Sequence, residues 1–259
     1  MTESLASRRS WLVRGLAAAG SLVISGCSQI ANSEHVGAVL NWEETWTKLA
    51  QRLVLGRGAL APQYTEQDIS KEFRSNGTTD PDTDAYNALA ANGFRDWRLE
   101  VGGLVERPLS LSLAQIRALP ARSQITRHDC VEGWSYIAQW KGAKLSGLLA
   151  AAGLKPQARY IVFYCADTLE ITLDGTGQYY ESIDLVDAMH PQTILAYEMN
   201  GKTLTIPYGA PLRLRLPRQL GYKMAKYVMR VAAVENFTRI SRGHGGFWED
   251  RGYAWYAGI

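Results

Sequence analysis

The sequence predicts an α+β fold: a mixed, β-rich or barrel-like core with short helices between the strands. Three observations lead there. Apolar runs are of strand length, turn signals separate them, and only a few short helical stretches are interspersed. No other apolar run matches the length of a membrane span once the N-terminus is set aside.

The elements follow in order. Trp42 to Leu55 has the spacing of an amphipathic helix, and Asn76 to Asp82 is dense in turn formers. Trp97 to Val101 alternates like a strand and stops at Gly102-Gly103. Ser112 and Gln115 fit a capping box opening a short helix that ends by Pro120. Leu145 to Ala152 is a second helix, closed by Gly153 and Pro156, and Tyr160 to Tyr164 is an apolar strand. Ser182 is expected to cap a helix through Met189. Thr193–Met199 and Lys202–Ile206 flank Asn200-Gly201, a hairpin signal. Leu212 to Leu216 alternates strictly, and Tyr227 to Val234 is another strand.

The first 27 residues read as an export signal. Ser7-Arg8-Arg9-Ser10-Trp11-Leu12-Val13 is a twin-arginine pattern, Leu16 to Ile24 is apolar, and Ile24-Ser25-Gly26-Cys27 resembles a lipoprotein box. The expectation is a periplasmic protein, with Cys27 as its lipid anchor if that box is used. The twin-arginine route carries folded, often cofactor-loaded proteins. Residues 28–85 form an expected N-terminal extension, and 86–259 the main domain. The signal contains Arg8, Arg9, Arg14 and Glu3, so the chain's charge of +3 falls to +1 after processing. Nothing in that balance calls for a nucleic-acid partner.

Cys130 and Cys165 are then the only cysteines. In an oxidising compartment two cysteines suit a disulfide, and an envelope lipoprotein with that bond is one alternative. Cys130 itself follows Arg127-His128-Asp129 and precedes Glu132-Gly133-Trp134-Ser135, a charged, aromatic setting. Three further uses remain open. It could be a nucleophile with His128 as base, a zinc ligand beside His128, or a lone thiolate on a soft metal held mainly by an organic cofactor. Arg127 and His128 are the expected sources of positive charge for a thiolate. Residues 208–226 favour the last use, because Arg213, Arg215, Arg218, Lys223 and Lys226 are interleaved with Gly209 and Gly221, which suits a phosphate-bearing ligand. The competing reading of that stretch is a solvated basic strand face.

Cys130-Val131-Glu132-Gly133-Trp134-Ser135, Trp140-Lys141-Gly142, Met189-His190-Pro191 and the Gly209-Ala210-Pro211-Leu212-Arg213 to Gly221-Tyr222-Lys223 segment resemble the sulfite oxidase fold family. They are most like the branch containing the exported catalytic subunit of a bacterial methionine sulfoxide reductase. The resemblance implies a molybdenum-dependent oxidoreductase with Mo-molybdopterin, transferring an oxygen atom to or from a small-molecule substrate such as a sulfoxide. By the same resemblance Cys130 is the metal ligand and catalytic centre. Asn76, Cys165, Tyr208, Arg213, Lys223, Met224, Ala225 and Lys226 are the implied cofactor contacts. Tyr208 and Cys165 depart from the branch, which has asparagine and threonine there. The arginine-rich continuation of true sulfite oxidases is missing after Cys130, which favours a neutral substrate over sulfite; sulfite oxidation remains the alternative within the family. No Cys-x-x-Cys-His occurs, so electrons are expected to pass through a separate protein, a membrane haem protein or a cytochrome. The aromatic C-terminal stretch from His244 to Tyr256 is expected to pack as a tail, with a flap over the metal site as its sharper reading.

Overall fold

A computed structural model describes residues 45–54 and 56–259. The expected signal, Cys27 and the start of the extension lie outside the described residues. Residues 45–54 are helical (α1). The unit that carries everything below is Leu53–Ile259. It includes much of the expected extension, because Tyr64 N–H donates to Ile125 O at 3.0 Å and Ser70 N–H to Ile137 O at 3.0 Å.

Two five-stranded sheets form this unit. The first has the order β2 (Leu109–Ser112), β1 (Arg98–Gly103), β10 (Val228–Val234), β5 (Tyr160–Thr168), β6 (Gln178–Asp184). β1 and β10 are parallel and the other neighbours antiparallel. The second runs β3 (Ala121–Asp129), β4 (Ser135–Lys144), β7 (Ile194–Met199), β8 (Lys202–Thr203), with β9 (Arg213–Arg215) also on β7. Helices α2 (Asp84–Ala91), α3 (Leu113–Arg117), α4 (Leu145–Ala152) and α5 (Leu185–Ala188) are short connectors. The mixed α+β architecture is the one the sequence predicts.

The larger core joins Leu99 and Val101 of β1, Ile161 and Phe163 of β5, Leu145, Leu148 and Leu149 of α4, and Leu212, Leu214 and Leu216 around β9. The capping box on α3 is present, with Ser112 and Gln115 bonding reciprocally. α4 spans the expected residues and ends where Gly153 turns to φ 70°. Asn200 and Gly201, at φ 51° and 73°, supply the positive angles of a two-residue hairpin turn. Gly142 is required by contact: a Cβ there would lie 2.2 Å from Leu195 O of the neighbouring strand.

Two expectations fail. Ser182 caps no helix; it is buried in β6 opposite Val162, and Asp184 caps the single turn of α5 instead. Strand pairing with β5 claims the backbone of Ser182 before the chain can turn. The competing reading of residues 208–226 as a solvated basic strand face fails as well, since all of Arg213–Arg215 is buried. One edge of β9 pairs with β7, and the returning chain bonds along the other, with Leu214 N–H donating to Ala225 O at 2.8 Å.

Candidate active site

Cys130 opens the turn between β3 and β4. Its N–H donates to Trp134 O at 2.9 Å, and Gly133 N–H donates back to Cys130 O at 3.0 Å, with Gly133 at φ 86°. This closed turn points the half-buried thiol into a cavity shared with Asn76, Thr78, Asp167, Met224 and Lys226. Burial raises the thiol's pKa; the backbone amide of Glu132 lowers it and the Glu132 charge raises it. The expected activators do not act. Arg127 is turned outward to Asp129 at 2.8 Å. His128 is fully buried and held neutral, first by burial and then by Arg215 and Arg213. An arginine can only donate, so Arg215 Nη1 at 2.7 Å makes His128 Nδ1 the acceptor and places the proton on Nε2. Cys130 and Cys165 are both free thiols, so the alternative disulfide is not formed.

Behind the cavity lies a buried basic cluster. Arg213 is 1% exposed, Arg215 fully enclosed and Lys226 5% exposed, which overturns the solvated-face reading. Arg213 donates to Tyr208 O at 3.0 Å and reaches Met224 O at 3.5 Å. Arg215 donates to Thr126 Oγ1 and Arg127 O, each at 3.3 Å. The Trp140 ring lies under both guanidiniums, 5.0 and 4.4 Å from their centres. Lys226 Nζ donates to Ser75 Oγ at 3.2 Å, Pro207 O at 3.1 Å and Thr78 O. Among the described residues, none of the three has a carboxylate within ion-pair distance. These buried cations repel one another, and Asp167 at Lys226 and Asp129 at Arg215 offset only part of that repulsion. Burial first, then Arg213, holds Lys226 down to about 7, and burial with Arg213 holds Arg215 down to about 9.

The other predicted residues divide. Asn76 lines the cavity and donates to Gly221 O at 3.3 Å. Met224 lines it as well, and Ala225 anchors that turn by accepting Leu214 N–H at 2.8 Å. Tyr208 sits at the mouth of the basic cluster, its hydroxyl on Phe73 O at 2.7 Å. Cys165 is buried on β5 and borders a separate hollow with Tyr86 and Met229, not the Cys130 cavity. Lys223 points the other way: its Nζ lies 2.5 Å from both Glu181 and Glu249, in a fully buried ion triad. Gly221 is tied to the site sterically, because a Cβ would fall 2.6 Å from His128 Nε2.

Sequence reasoning missed Asp167, Thr78, Tyr222, Trp248 and Tyr253, all on the cavity wall. Asp167 carried no local signal: its burial, which raises its carboxyl to about 6, comes from β5 packing against the returning chain. Trp248 and Tyr253 were visible only as part of an aromatic tail. That tail is packed, as expected, and two of its rings also reach the cavity.

The residues fit a sulfur-ligated metal on a phosphate-bearing cofactor. Asn76 Oδ1, Arg213 Nε and Arg215 Nε are buried polar atoms without protein partners. Buried polar atoms ordinarily have partners, and here they lie on the wall of the Cys130 cavity and in the basic cluster behind it. Residues 87–239 match the family model described as oxidoreductase molybdopterin binding domain. The chain belongs to this family. As a molybdopterin-binding oxidoreductase it is a molybdenum-dependent enzyme whose cofactor is Mo-molybdopterin. It is 36% identical over 98% of its length, and 88% of the relative's, to a protein of Azospira oryzae provisionally named protein-methionine-sulfoxide reductase subunit YedZ1. It is 33% identical over 56% of its length to a protein-methionine-sulfoxide reductase catalytic subunit, MsrP, of Campylobacter jejuni, and 35% identical over 59% to that of Xanthomonas axonopodis. The chain spans about half the length of these two relatives.

Proposed function

We propose that this molybdopterin-binding oxidoreductase reduces a neutral sulfoxide outside the cytoplasm, with electrons delivered by a separate protein. The observation that carries the reading is the wall of the cavity at Cys130. It contains Tyr222, Trp248, Tyr253 and Leu169 with two carboxylates, Asp167 and Glu132, against one cation, Lys226, which this reading commits to the cofactor's phosphate, and no arginine. An anion such as sulfite would meet those carboxylates at close range, whereas a neutral S=O group with apolar substituents suits the rings. The names of the relatives point the same way.

In this reading the Cys130 thiolate ligates the metal, and Arg213, Arg215 and Lys226 hold the cofactor's phosphate. Asn76 and the Met224-Ala225 turn flank it, with Tyr208 at its margin, while Cys165 lies outside this cavity. The bound cofactor supplies two-electron oxygen-atom exchange. The balance is one sulfoxide, two electrons and two protons giving one thioether and one water. Asp167, with a carboxyl held near 6 by burial, is placed to release a proton at Oδ1 into the cavity. Lys223 is assigned a structural role in place of the expected cofactor contact. Export through Arg8-Arg9 and lipidation at Cys27 belong to the same proposal; the absence of a haem-attachment motif and the subunit naming of the Azospira relative support a partner that brings the electrons.

The test uses molybdenum-loaded protein. With a reduced viologen dye, methionine sulfoxide should be turned over; with ferricyanide, sulfite should not be oxidised. Sulfite oxidation without sulfoxide reduction would overturn the reading.

A further inference from the structure

We propose that the C-terminal segment is the substrate-selecting wall of the site, with Trp248 and Tyr253 contacting the organic substituents of the substrate. The inference rests on the sulfoxide reading above. It goes further in naming the residues that choose among sulfoxides and the class they favour, those bearing an aryl or long thioether substituent.

Four observations carry it. First, Trp248 and Tyr253 line the same cavity as the Cys130 thiol. Their rings are 5.2 Å apart, and Tyr222 meets Tyr253 edge-on at 5.3 Å, so three aromatic faces and edges surround one opening. Sulfur and apolar groups are favoured against such rings. Second, the two rings retain exposure, half-buried for Trp248 and 39% for Tyr253, while Phe247 beside them is fully packed. Phe247 holds the segment in the core, and its neighbours are left facing the opening.

Third, the segment is fastened at several points rather than resting on the surface. Glu249 pairs with the buried Lys223 at 2.5 Å, and Arg251 pairs with Glu170 at 2.5 Å. Asp250 accepts from Tyr180 at 2.7 Å and His244 N–H at 2.9 Å, and Tyr222 donates to Ala254 O at 2.7 Å. A wall held this way has little side-chain freedom left to lose when a ligand binds. Fourth, the family match ends at residue 239, so both rings stand on chain beyond the matched domain. Arg213, Met224 and Lys226 of the cradle lie inside the matched stretch, whereas the tail rings, like Asn76 and Thr78, lie outside it.

The experiment uses the full-length holoenzyme and Trp248→Ala, Tyr253→Ala and Trp248→Phe. Molybdenum and pterin contents and melting temperature are measured first. Then kcat and KM are measured for dimethyl sulfoxide and methyl phenyl sulfoxide, and binding of the unreactive methyl phenyl sulfone is titrated calorimetrically. For either alanine variant, kcat/KM for methyl phenyl sulfoxide should fall about tenfold, mostly through KM, and the sulfone should bind about tenfold more weakly. Dimethyl sulfoxide should change less than about twofold, cofactor content should hold, and Trp248→Phe should recover most of the loss. Equal losses on both sulfoxides, unchanged sulfone binding, or a fall in pterin content paralleling the activity loss would each overturn the wall. A wild-type enzyme that reduces neither sulfoxide defeats the functional reading alone; the sulfone titration then decides the wall, and wild-type protein that binds no sulfone counts against it.

Discussion

Replacing Lys223 by methionine separates a structural role from a cofactor role for that residue. The ammonium is fully buried between Glu181 and Glu249 at 2.5 Å each. Burial alone would lower its pKa, but the two carboxylates outweigh that and raise it. Burial, followed by the Glu249 charge, lifts Glu181 well above the usual carboxylate range. Methionine keeps the stem's volume and leaves two carboxyls facing each other without their cation. Breaking a buried pair from one side costs about 3–5 kcal/mol. For a unit of this size each kcal/mol shifts the melting temperature by about 2–4 °C, so Lys223→Met should melt about 6–20 °C lower. Adding Glu249→Gln should recover part of that loss, since a neutral amide no longer needs a counter-charge. Calorimetric melting of holoenzyme, with pterin content on the same samples, makes the measurement. A variant that melts within about 2 °C of wild type while losing its pterin would refute this reasoning and return Lys223 to the cofactor.

Three further outcomes are expected. Cys130→Ser should keep most pterin, because the basic cluster is intact, yet lose nearly all turnover; Cys165→Ser should retain activity, and equal loss in both would contradict the free-thiol assignment. In cofactor-free protein, Lys226 is held at about 7 when folded against roughly 10.4 unfolded. Between those values the unfolded chain binds the extra proton, so stability should rise from about pH 7 to pH 10, and Lys226→Met should flatten that rise in urea titrations. Changing Arg8 and Arg9 together to lysine should leave the protein in the cytoplasm by cell fractionation; normal periplasmic delivery would end the export assignment.

What the sequence determined by itself was local chemistry and local geometry. The α3 capping box, the α4 helix with its glycine stop, the Asn200-Gly201 turn and most of the core strands follow from short-range rules that packing did not override. The Cys130 motif and the basic stretch of residues 208–226 were legible for the same reason: each is a contiguous set of residues whose chemistry is visible in order. The tertiary structure decided what each charge faces. Arg213 and Arg215 share a strand with the right spacing, but only the covering of β9 makes them buried and unpaired. Lys223 and Lys226 are three residues apart and look alike in sequence. The short 3-10 turn at Gly221–Lys223 sends one toward Glu181 and Glu249 and the other toward the cavity. Asp167, Trp248 and Tyr253 join Cys130 from far along the chain, through sheet pairing and tail packing that no local pattern encodes. A charge or a ring acquires its function from the dielectric and the neighbours around it, and those come from long-range contacts.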